Sequence, residues 1–133
     1  MTPERIIINA DGASRHNPGP AAIGATIKDE RGHLLASISR RIGRATNNQA
    51  EYQALIAALE KATGLGARRV EIRLDSELVV KQMKGRYRVK NAALRPLYLR
   101  VGELLSQFEG FTITSVPREQ NAEADRLANK ALG

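Results

Sequence analysis

The feature that most constrains the fold is the apolar run Ile6–Ile8, which is followed closely by Asp11 and Gly12. Three consecutive β-branched residues favour a strand, and a run that is apolar on both faces is typical of a strand buried within a sheet. We predict a first strand over residues 5–11 that ends at Asp11, with Gly12 opening a loop that runs to Pro20. Asp11 is therefore the first candidate for a functional side chain, because it lies where a buried strand ends.

The rest of the chain alternates between strand and helix patterns. Strands are predicted at residues 21–28, 33–42, 69–74 and 111–116. Helices are predicted to begin near residues 46–48, 76, 94 and 121, with Asn121 as the cap of the last one. The order βββαβααβα, with short turns between the first three strands, predicts an antiparallel meander followed by parallel strands. The expected fold class is α/β, a mixed five-stranded sheet with helices on both faces, in one domain over residues 1–133.

Composition narrows the classes of function. The chain has 133 residues, of which 42% are hydrophobic and 26% charged, as in a soluble globular protein. It has no cysteine, which excludes disulfides, thiolate metal sites and cysteine nucleophiles. No signal peptide or membrane span is visible, so we expect a cytoplasmic protein without a membrane partner. The net charge of +7 favours a polyanionic partner, above all nucleic acid, although an inert basic surface is left open.

Four carboxylates occupy positions where strands and helices begin or end. They are Asp11, Glu51 in the expected first turn of the long helix, Asp75 after the fourth strand, and Asp125 near the start of the last helix. Parallel strands place their carboxyl ends at one edge of a sheet, where ligands bind in open α/β folds. Carboxylates that meet there repel one another, and a divalent cation relieves the repulsion. Oxygen ligands suit Mg²⁺ or Mn²⁺, and two such ions can flank a phosphate.

Each of these acids has a simpler explanation when it is taken alone. Asp11 with Gly12 could form a plain turn, Glu51 could serve the helix dipole, and Asp75 could be part of a cap. Asp125 could be an exposed acid paired with Arg126 or Lys130. The case for a site rests on the joint occurrence of all four.

A basic segment lies at residues 81–90. It contains five basic residues and one aromatic residue, namely Lys81, Lys84, Arg86, Arg88, Lys90 and Tyr87. Such a segment is typical of a surface that binds nucleic acid, and its alternative explanation is a solvated loop.

These residues together resemble type 1 ribonuclease H nearly from end to end. The resemblance is carried by Ile8–Ser14 with Asn17–Pro20, Thr46–Glu51, Asp75–Val79 and Asn121–Ala128. It implies a ribonuclease H-like fold and an endoribonuclease that hydrolyses the RNA strand of RNA/DNA hybrids, leaving 5′-phosphate and 3′-hydroxyl ends. It also implies two Mg²⁺ or Mn²⁺ ions per site. A hybrid-binding module without catalysis, or a related nuclease that acts on DNA, are the alternatives.

The resemblance also implies which residues act. It makes Asp11, Glu51, Asp75 and Asp125 the catalytic set that binds metal. It assigns Asn17, Thr46, Asn47 and Asn48 to the backbone and groove of the nucleic acid. Main-chain groups near Gly12, Ser76 and Glu77 are implied to contact the ribose, where the 2′-hydroxyl distinguishes RNA from DNA.

The chain departs from the family pattern in two places. Many relatives carry a histidine in a loop before the last aspartate, whereas this chain has the short segment Pro117–Gln120 with Arg118 nearest that place. Arginine cannot act as a base at neutral pH, so we expect Arg118 to contact phosphate or product, with a plain surface arginine as the alternative.

The second departure is the absence of the tryptophan-rich basic protrusion of some relatives, since the chain has no tryptophan. Lys81, Arg86, Arg88 and Lys90 are expected to replace it, with Tyr87 stacking on a sugar. Members of this short form resemble a subgroup with looser substrate choice, so double-stranded RNA is a second candidate substrate. We expect a monomer that needs no protein partner.

Overall fold

The structure, a computed structural model, describes residues 3–133 and contains a five-stranded mixed sheet in the order β3-β2-β1-β4-β5. The strands are β1 Arg5–Ser14, β2 Gly19–Asp29, β3 Leu34–Ala45, β4 Arg69–Leu74 and β5 Gly110–Ser115. The helices are α1 Asn47–Leu65, α2 Glu77–Met83, α3 Arg95–Leu105 and α4 Ala122–Leu132, and a 3-10 turn covers Arg118–Asn121. Strands β1 to β3 are antiparallel and β1, β4 and β5 are parallel, so the predicted element order and sheet type are confirmed.

Helices cover both faces of this sheet. On one face, α1 packs on β1 and β2 and is backed by α3, while α4 packs on the other face against β1, β2 and β3. Ile6 and Ile8 of β1 are fully buried in the same core cluster as Leu55 and Leu59 of α1. This burial anchors the centre of the sheet to its longest helix. Within residues 3–133, no helix is both long enough and apolar enough to cross a membrane.

Two glycines let both helix layers approach the sheet beside Asp11. A Cβ atom on Gly12 would overlap the backbone of Ala50 in α1, and one on Gly24 would overlap the backbone of Ala124 in α4. Gly24 is also the cross-strand partner of Asp11 in the ladder between β1 and β2. Because Glu51 follows Ala50 and Asp125 follows Ala124, the absence of these two side chains brings both acids close to Asp11.

The prediction that β1 ends at Asp11 is wrong. The strand continues to Ser14, which pairs with Ala21 of β2, so the expected loop from Gly12 shrinks to a tight turn closed by the bond from the Arg15 amide to the Pro20 carbonyl, 2.9 Å. The parallel ladder with β4, by contrast, stops at the pair of Asn9 and Arg73. Asp11 therefore lies inside a strand but beyond the end of its parallel neighbour.

The expected position of Glu51 in the first turn of its helix is also wrong. Thr46 is the N-cap of α1 and forms a capping box with Gln49: its hydroxyl accepts from the Gln49 amide at 3.1 Å, and its own amide donates to the Gln49 side chain at 2.8 Å. Because α1 begins at Asn47, directly after this cap, Glu51 lies in the second turn. The Glu51 carboxylate therefore does not bond to the free backbone amides at the start of α1 but to the Gly12 amide of β1.

Candidate metal centre and nucleic-acid interface

Three of the four predicted carboxylates meet at the edge of the sheet. Asp11 from β1, Glu51 from α1 and Asp75, directly after β4, each offer an oxygen, and these oxygens all lie within 4.8 Å of one another. The sequence brings them together because β1 and β4 are parallel neighbours and α1 touches β1 at Gly12. The arrangement could hold a metal ion.

Glu51 shows most clearly that the cluster fits a cation. Its side chain is only 8% exposed, and its Oε1 atom accepts a hydrogen bond of 2.6 Å from the Gly12 amide. Its Oε2 atom is buried and has no hydrogen-bond partner among residues 3–133. A buried carboxylate oxygen without a partner is costly, and a cation that lies among the three acids would remove that cost.

The electrostatics of the cluster lead to the same conclusion. Burial raises the pKa of Asp11 far above its usual range, and the neighbouring Glu51 and Asp75 raise it further. Burial also raises the pKa of Glu51. Without a cation Asp11 therefore retains its proton at pH values where exposed carboxylates are ionised. The donor set consists of carboxylate oxygens, which is the chemistry that hard divalent cations prefer.

Asp125 lies outside this tight group. It lines the same cleft of about 420 Å³ as the three acids, but its side chain remains 27% exposed. Its Oδ1 atom accepts a 3.2 Å hydrogen bond from Asn129 and lies 3.5 Å from the guanidinium of Arg118. All four predicted acids therefore share one site: three form the tight group, and Asp125 at the rim is close enough to Asp11 to raise its pKa through a side-chain hydrogen bond. The cationic partner of Asp125 is Arg118 and not the sequence neighbours Arg126 or Lys130.

Five of the residues predicted to contact nucleic acid line the cleft, namely Gly12, Asn47, Asn48, Ser76 and Arg118. Glu77 lines an adjoining pocket that shares Asp75 and Arg118 with the cleft. Arg118 is strongly exposed, which fits contact with an incoming ligand more than a structural ion pair.

Several of the residues predicted to contact nucleic acid, in the cleft or beside it, also have structural partners. Thr46 is the cap of α1, and Ser76 in the same way caps α2 through a 3.3 Å bond from the Val79 amide. The Asn17 side-chain oxygen accepts a 2.9 Å bond from the Asn47 amide. The Asn47 side chain in turn accepts from the Ser14 amide at 3.1 Å. These bonds fix the β1–β2 turn to the start of α1, next to the cleft.

The basic segment 81–90 runs from the last turn of α2 into the connection to α3. Lys84, Arg86, Arg88 and Lys90 are exposed, whereas Val89 is buried and anchors the segment to the core. The ammonium of Lys81 lies 5.1 Å from the centre of the Tyr87 ring, within cation–π range. None of these residues lines the cleft among the described side chains, so the segment is a second surface and not part of the carboxylate site.

Sequence reasoning missed three asparagines around the carboxylates. Asn129 contacts Asp125 from one turn further along α4, a spacing that could have revealed it. Asn121 occupies the expected N-cap position of α4, but its side chain makes no capping bond, and its amide bonds to β1 and Asp75 instead. Asn9, in β1, contacts Asn121. No local pattern signals these contacts of Asn121, because the bonds to β1 join residues more than a hundred positions apart.

Comparison with known proteins shows extensive similarity. Residues 9–131 match the family model described as reverse transcriptase-like. The Ribonuclease HI of Halobacterium salinarum is 52% identical over 128 residues, which cover 96% of this chain and 64% of that protein. The chain spans 35% of the length of mycobacterial relatives that are 48% identical to it.

Two solved structures share the fold closely. The N-terminal RNase H domain of Rv2228c from Mycobacterium tuberculosis matches with a TM-score of 0.94 and 48% identity, covering 97% of this chain and 99% of that one. LC11-RNase H1, solved in complex with an RNA/DNA hybrid, matches with a TM-score of 0.91 and 44% identity, covering 96% of each chain. The sheet order, the carboxylate cluster and these similarities agree, and the chain belongs to the reverse transcriptase-like family of ribonuclease H domains.

Proposed function

We propose that this chain is a metal-dependent endoribonuclease that hydrolyses the RNA strand of RNA/DNA hybrids. The observation that carries the proposal is the buried carboxylate cluster with the unpartnered Oε2 atom of Glu51, a site that could hold a cation. The substrate class is supported by the relatives, since LC11-RNase H1 binds a hybrid and is 44% identical to this chain. The net charge of +7 favours a polyanionic substrate of this kind.

The metal would be Mg²⁺ or Mn²⁺, held by Asp11, Glu51 and Asp75, with Asp125 serving a second ion. When bound, such ions activate a water molecule and stabilise the leaving oxygen of a phosphodiester, which gives 5′-phosphate and 3′-hydroxyl ends. Asp11 retains its proton without a cation because burial and the neighbouring Glu51 and Asp75 raise its pKa. Metal binding must therefore release protons, so the affinity for the ion should increase with pH.

The walls of the cleft would orient the substrate. Gly12 and Ser76 present backbone next to the acids, where contacts to the 2′-hydroxyl would select the RNA strand. Asn47 and Asn48 lie on the same wall and offer amide groups to the phosphate backbone or the groove. Arg118 would contact the cleaved phosphate, since an exposed guanidinium can bind an oxyanion but cannot take a proton.

The basic segment would hold the hybrid beside the cleft. Its four exposed basic side chains can neutralise phosphates, and Tyr87 offers a flat face to a sugar. This contact would be independent of sequence and sensitive to salt. Because it reads charge and not strand identity, double-stranded RNA is a further substrate to be tested.

The decisive experiment is a cleavage assay on end-labelled substrates of one sequence: hybrid, double-stranded RNA, double-stranded DNA and a DNA duplex with one ribonucleotide. We expect cleavage of the hybrid in Mg²⁺ or Mn²⁺ and none in EDTA. Asp75→Asn should strongly reduce cleavage, while Glu109→Gln, which changes an exposed acid far from the cleft, should not. Equal cleavage with and without metal would refute the metal site. Tight binding of the hybrid without cleavage in either metal would favour the non-catalytic alternative.

A further inference from the structure

Asn121 is a buried amide whose position neither its helix nor the apolar core explains. It lies at the junction of the 3-10 turn and α4, is 1% exposed, and makes no capping bond through its side chain. A polar side chain that is buried so completely must satisfy its hydrogen bonds inside the protein. The partners of this amide therefore indicate what it does.

Every partner of the Asn121 side chain belongs to β1 or to the residue that follows β4. Its Nδ2 atom donates to the Ala10 carbonyl at 2.9 Å and to Asp75 Oδ1 at 3.4 Å. Its Oδ1 atom accepts from Asn9 Nδ2 at 3.1 Å. One amide group thus joins the backbone next to Asp11 with the side chain of Asp75.

The orientation of this amide is fixed by its neighbours. The Ala10 carbonyl can only accept, so it selects the nitrogen of Asn121. Asn9 Nδ2 also lies 3.5 Å from the Gln120 carbonyl, which likewise selects the nitrogen of Asn9. A flipped Asn121 amide would set oxygen against the Ala10 carbonyl and the Asp75 carboxylate, and nitrogen against nitrogen at Asn9.

The sheet leaves a gap that this amide fills. Asn9 and Arg73 are the last pair of the parallel ladder between β1 and β4. If the same register continued, Asp11 would lie opposite Asp75, but no ladder pair forms there. The Leu74 carbonyl is taken by the Val116 amide from the β5 side. Among the described residues, Asn121 is the group that bonds to both β1 and Asp75 beyond the end of the ladder.

We propose that Asn121 is a positioning residue that sets the separation of Asp11 and Asp75, and that Asn9 locks its amide in the required orientation. A neutral amide suits this role, because it orients the Asp75 carboxylate without a competing charge and leaves the acid free to bind a cation. The inference rests on the proposed function for its metal site. Groups that orient metal ligands typically contribute about 10- to 100-fold to metal affinity.

The test compares Asn121→Leu with Gln82→Leu. Gln82 is a matched control because it is also a buried amide, bonded at 2.7 Å to the Tyr52 hydroxyl, but it lies outside the cleft. Mg²⁺ and Mn²⁺ affinity is measured by calorimetry, thermal stability in EDTA, and hybrid cleavage as a function of metal concentration. We expect both variants to lose thermal stability, whereas only Asn121→Leu weakens metal affinity, by about 10-fold or more, without raising KM for the hybrid.

Unchanged metal affinity in folded Asn121→Leu would overturn the proposal and leave a purely structural amide. If that variant does not fold, Asn9→Ala tests the same lock from a half-buried position and should weaken metal affinity in the same direction by a smaller factor. Unchanged affinity there would also overturn the proposal. Calorimetry separates this outcome from failure of the proposed function, which would appear as wild-type protein that binds metal but cuts no substrate.

Discussion

The carboxylate cluster and the basic segment 81–90 carry opposite charge and are built in opposite ways. The acids are held by a strand, a helix and a strand end, two of them are buried, and burial raises the pKa of both. The basic side chains stand in solvent on a connection between two helices, anchored mainly through Val89. We therefore expect the function of the carboxylate cluster to depend on the exact positions of its side chains, and that of the basic segment to depend on its total charge.

The largest effect is expected from Asp11→Asn. Loss of one ligand of a catalytic metal removes several kcal/mol of transition-state stabilisation, so cleavage of the hybrid should fall roughly a thousandfold. Single-turnover cleavage at saturating enzyme measures this directly. Asp11→Asn should still bind the hybrid, because the basic surface is unchanged. Turnover within about tenfold of the wild type would remove Asp11 from the mechanism.

The second effect concerns the basic segment, through a combined substitution of its exposed residues Lys84, Arg86, Arg88 and Lys90 by alanine. Each of these side chains that neutralises a phosphate should account for about 0.9 of the slope of log affinity against log salt, so the variant should show a shallower slope. KM should rise while kcat is retained. Stability should change by less than about 0.5 kcal/mol, since the side chains are exposed.

The matched control for that variant is Lys61→Ala with Arg68→Ala, which removes two exposed basic residues on the helix and connection before β4. It should leave the salt slope near the wild-type value. If both variants reduce the salt slope equally per substituted residue, binding depends on net charge alone, and the basic segment is not a specific contact surface for the hybrid.

The third effect is on the stability of the metal-free protein. Asp11 titrates near its ordinary pKa of 3.8 when unfolded and at a much higher pKa when folded. Between these values the folded state binds more protons, so the free energy of unfolding should decrease as the pH rises from about 4 through neutrality. Between about pH 5 and pH 8, the free energy of unfolding of the wild type should decrease by about 1 kcal/mol or more relative to that of Asp11→Asn.

Urea denaturation in EDTA at the two pH values measures this difference. The Asn variant should also be the more stable protein at the higher pH, since it removes an acid that the folded state must keep protonated at a pH where the unfolded chain would ionise it. Saturating Mg²⁺ should abolish the advantage by stabilising the wild type alone. A variant that is less stable at both pH values would show that the cluster is not under electrostatic strain.

The smallest effect is expected from Arg118→Ala. Arg118 shares a feature with each surface, because it lines the cleft with the acids but is strongly exposed and basic like the residues of the basic segment. Loss of its ion pair with Asp125 should cost less than about 1 kcal/mol of stability. If it contacts phosphate, the salt slope should fall by about 0.9. The pH profile of kcat should not change, since the guanidinium does not titrate in this range.

The sequence was most informative where a pattern repeats along the chain. Strand alternation and helical periodicity predicted the element order and the mixed sheet, and parallel pairing of β1 with β4 then followed from the connection through α1. The end of β1 was missed because Gly12, Ala13 and Ser14 carry little strand preference and Pro18–Pro20 signals a turn. These residues become part of the strand because they pair with β2, and such pairing between strands is not encoded in local strand propensity.

The site could be predicted only as a set of residue types. Parallel strand ends made the meeting of Asp11 and Asp75 predictable, and they lie together. The rim position of Asp125 depends on how α4 docks, and the bonds of Asn121 to β1 depend on residues more than a hundred positions away. Neither the position of Asp125 nor the bonding of Asn121 can be predicted from the neighbouring residues in the sequence.

The two glycines beside Asp11 have a practical consequence for redesign. Gly12 and Gly24 put α1 and α4 in direct contact with opposite faces of one sheet, so neither helix can shift without disturbing the acids. A redesign that replaces either glycine would force a helix layer away from the sheet and change the spacing of the acids, so both of these close contacts would have to be kept in any new scaffold.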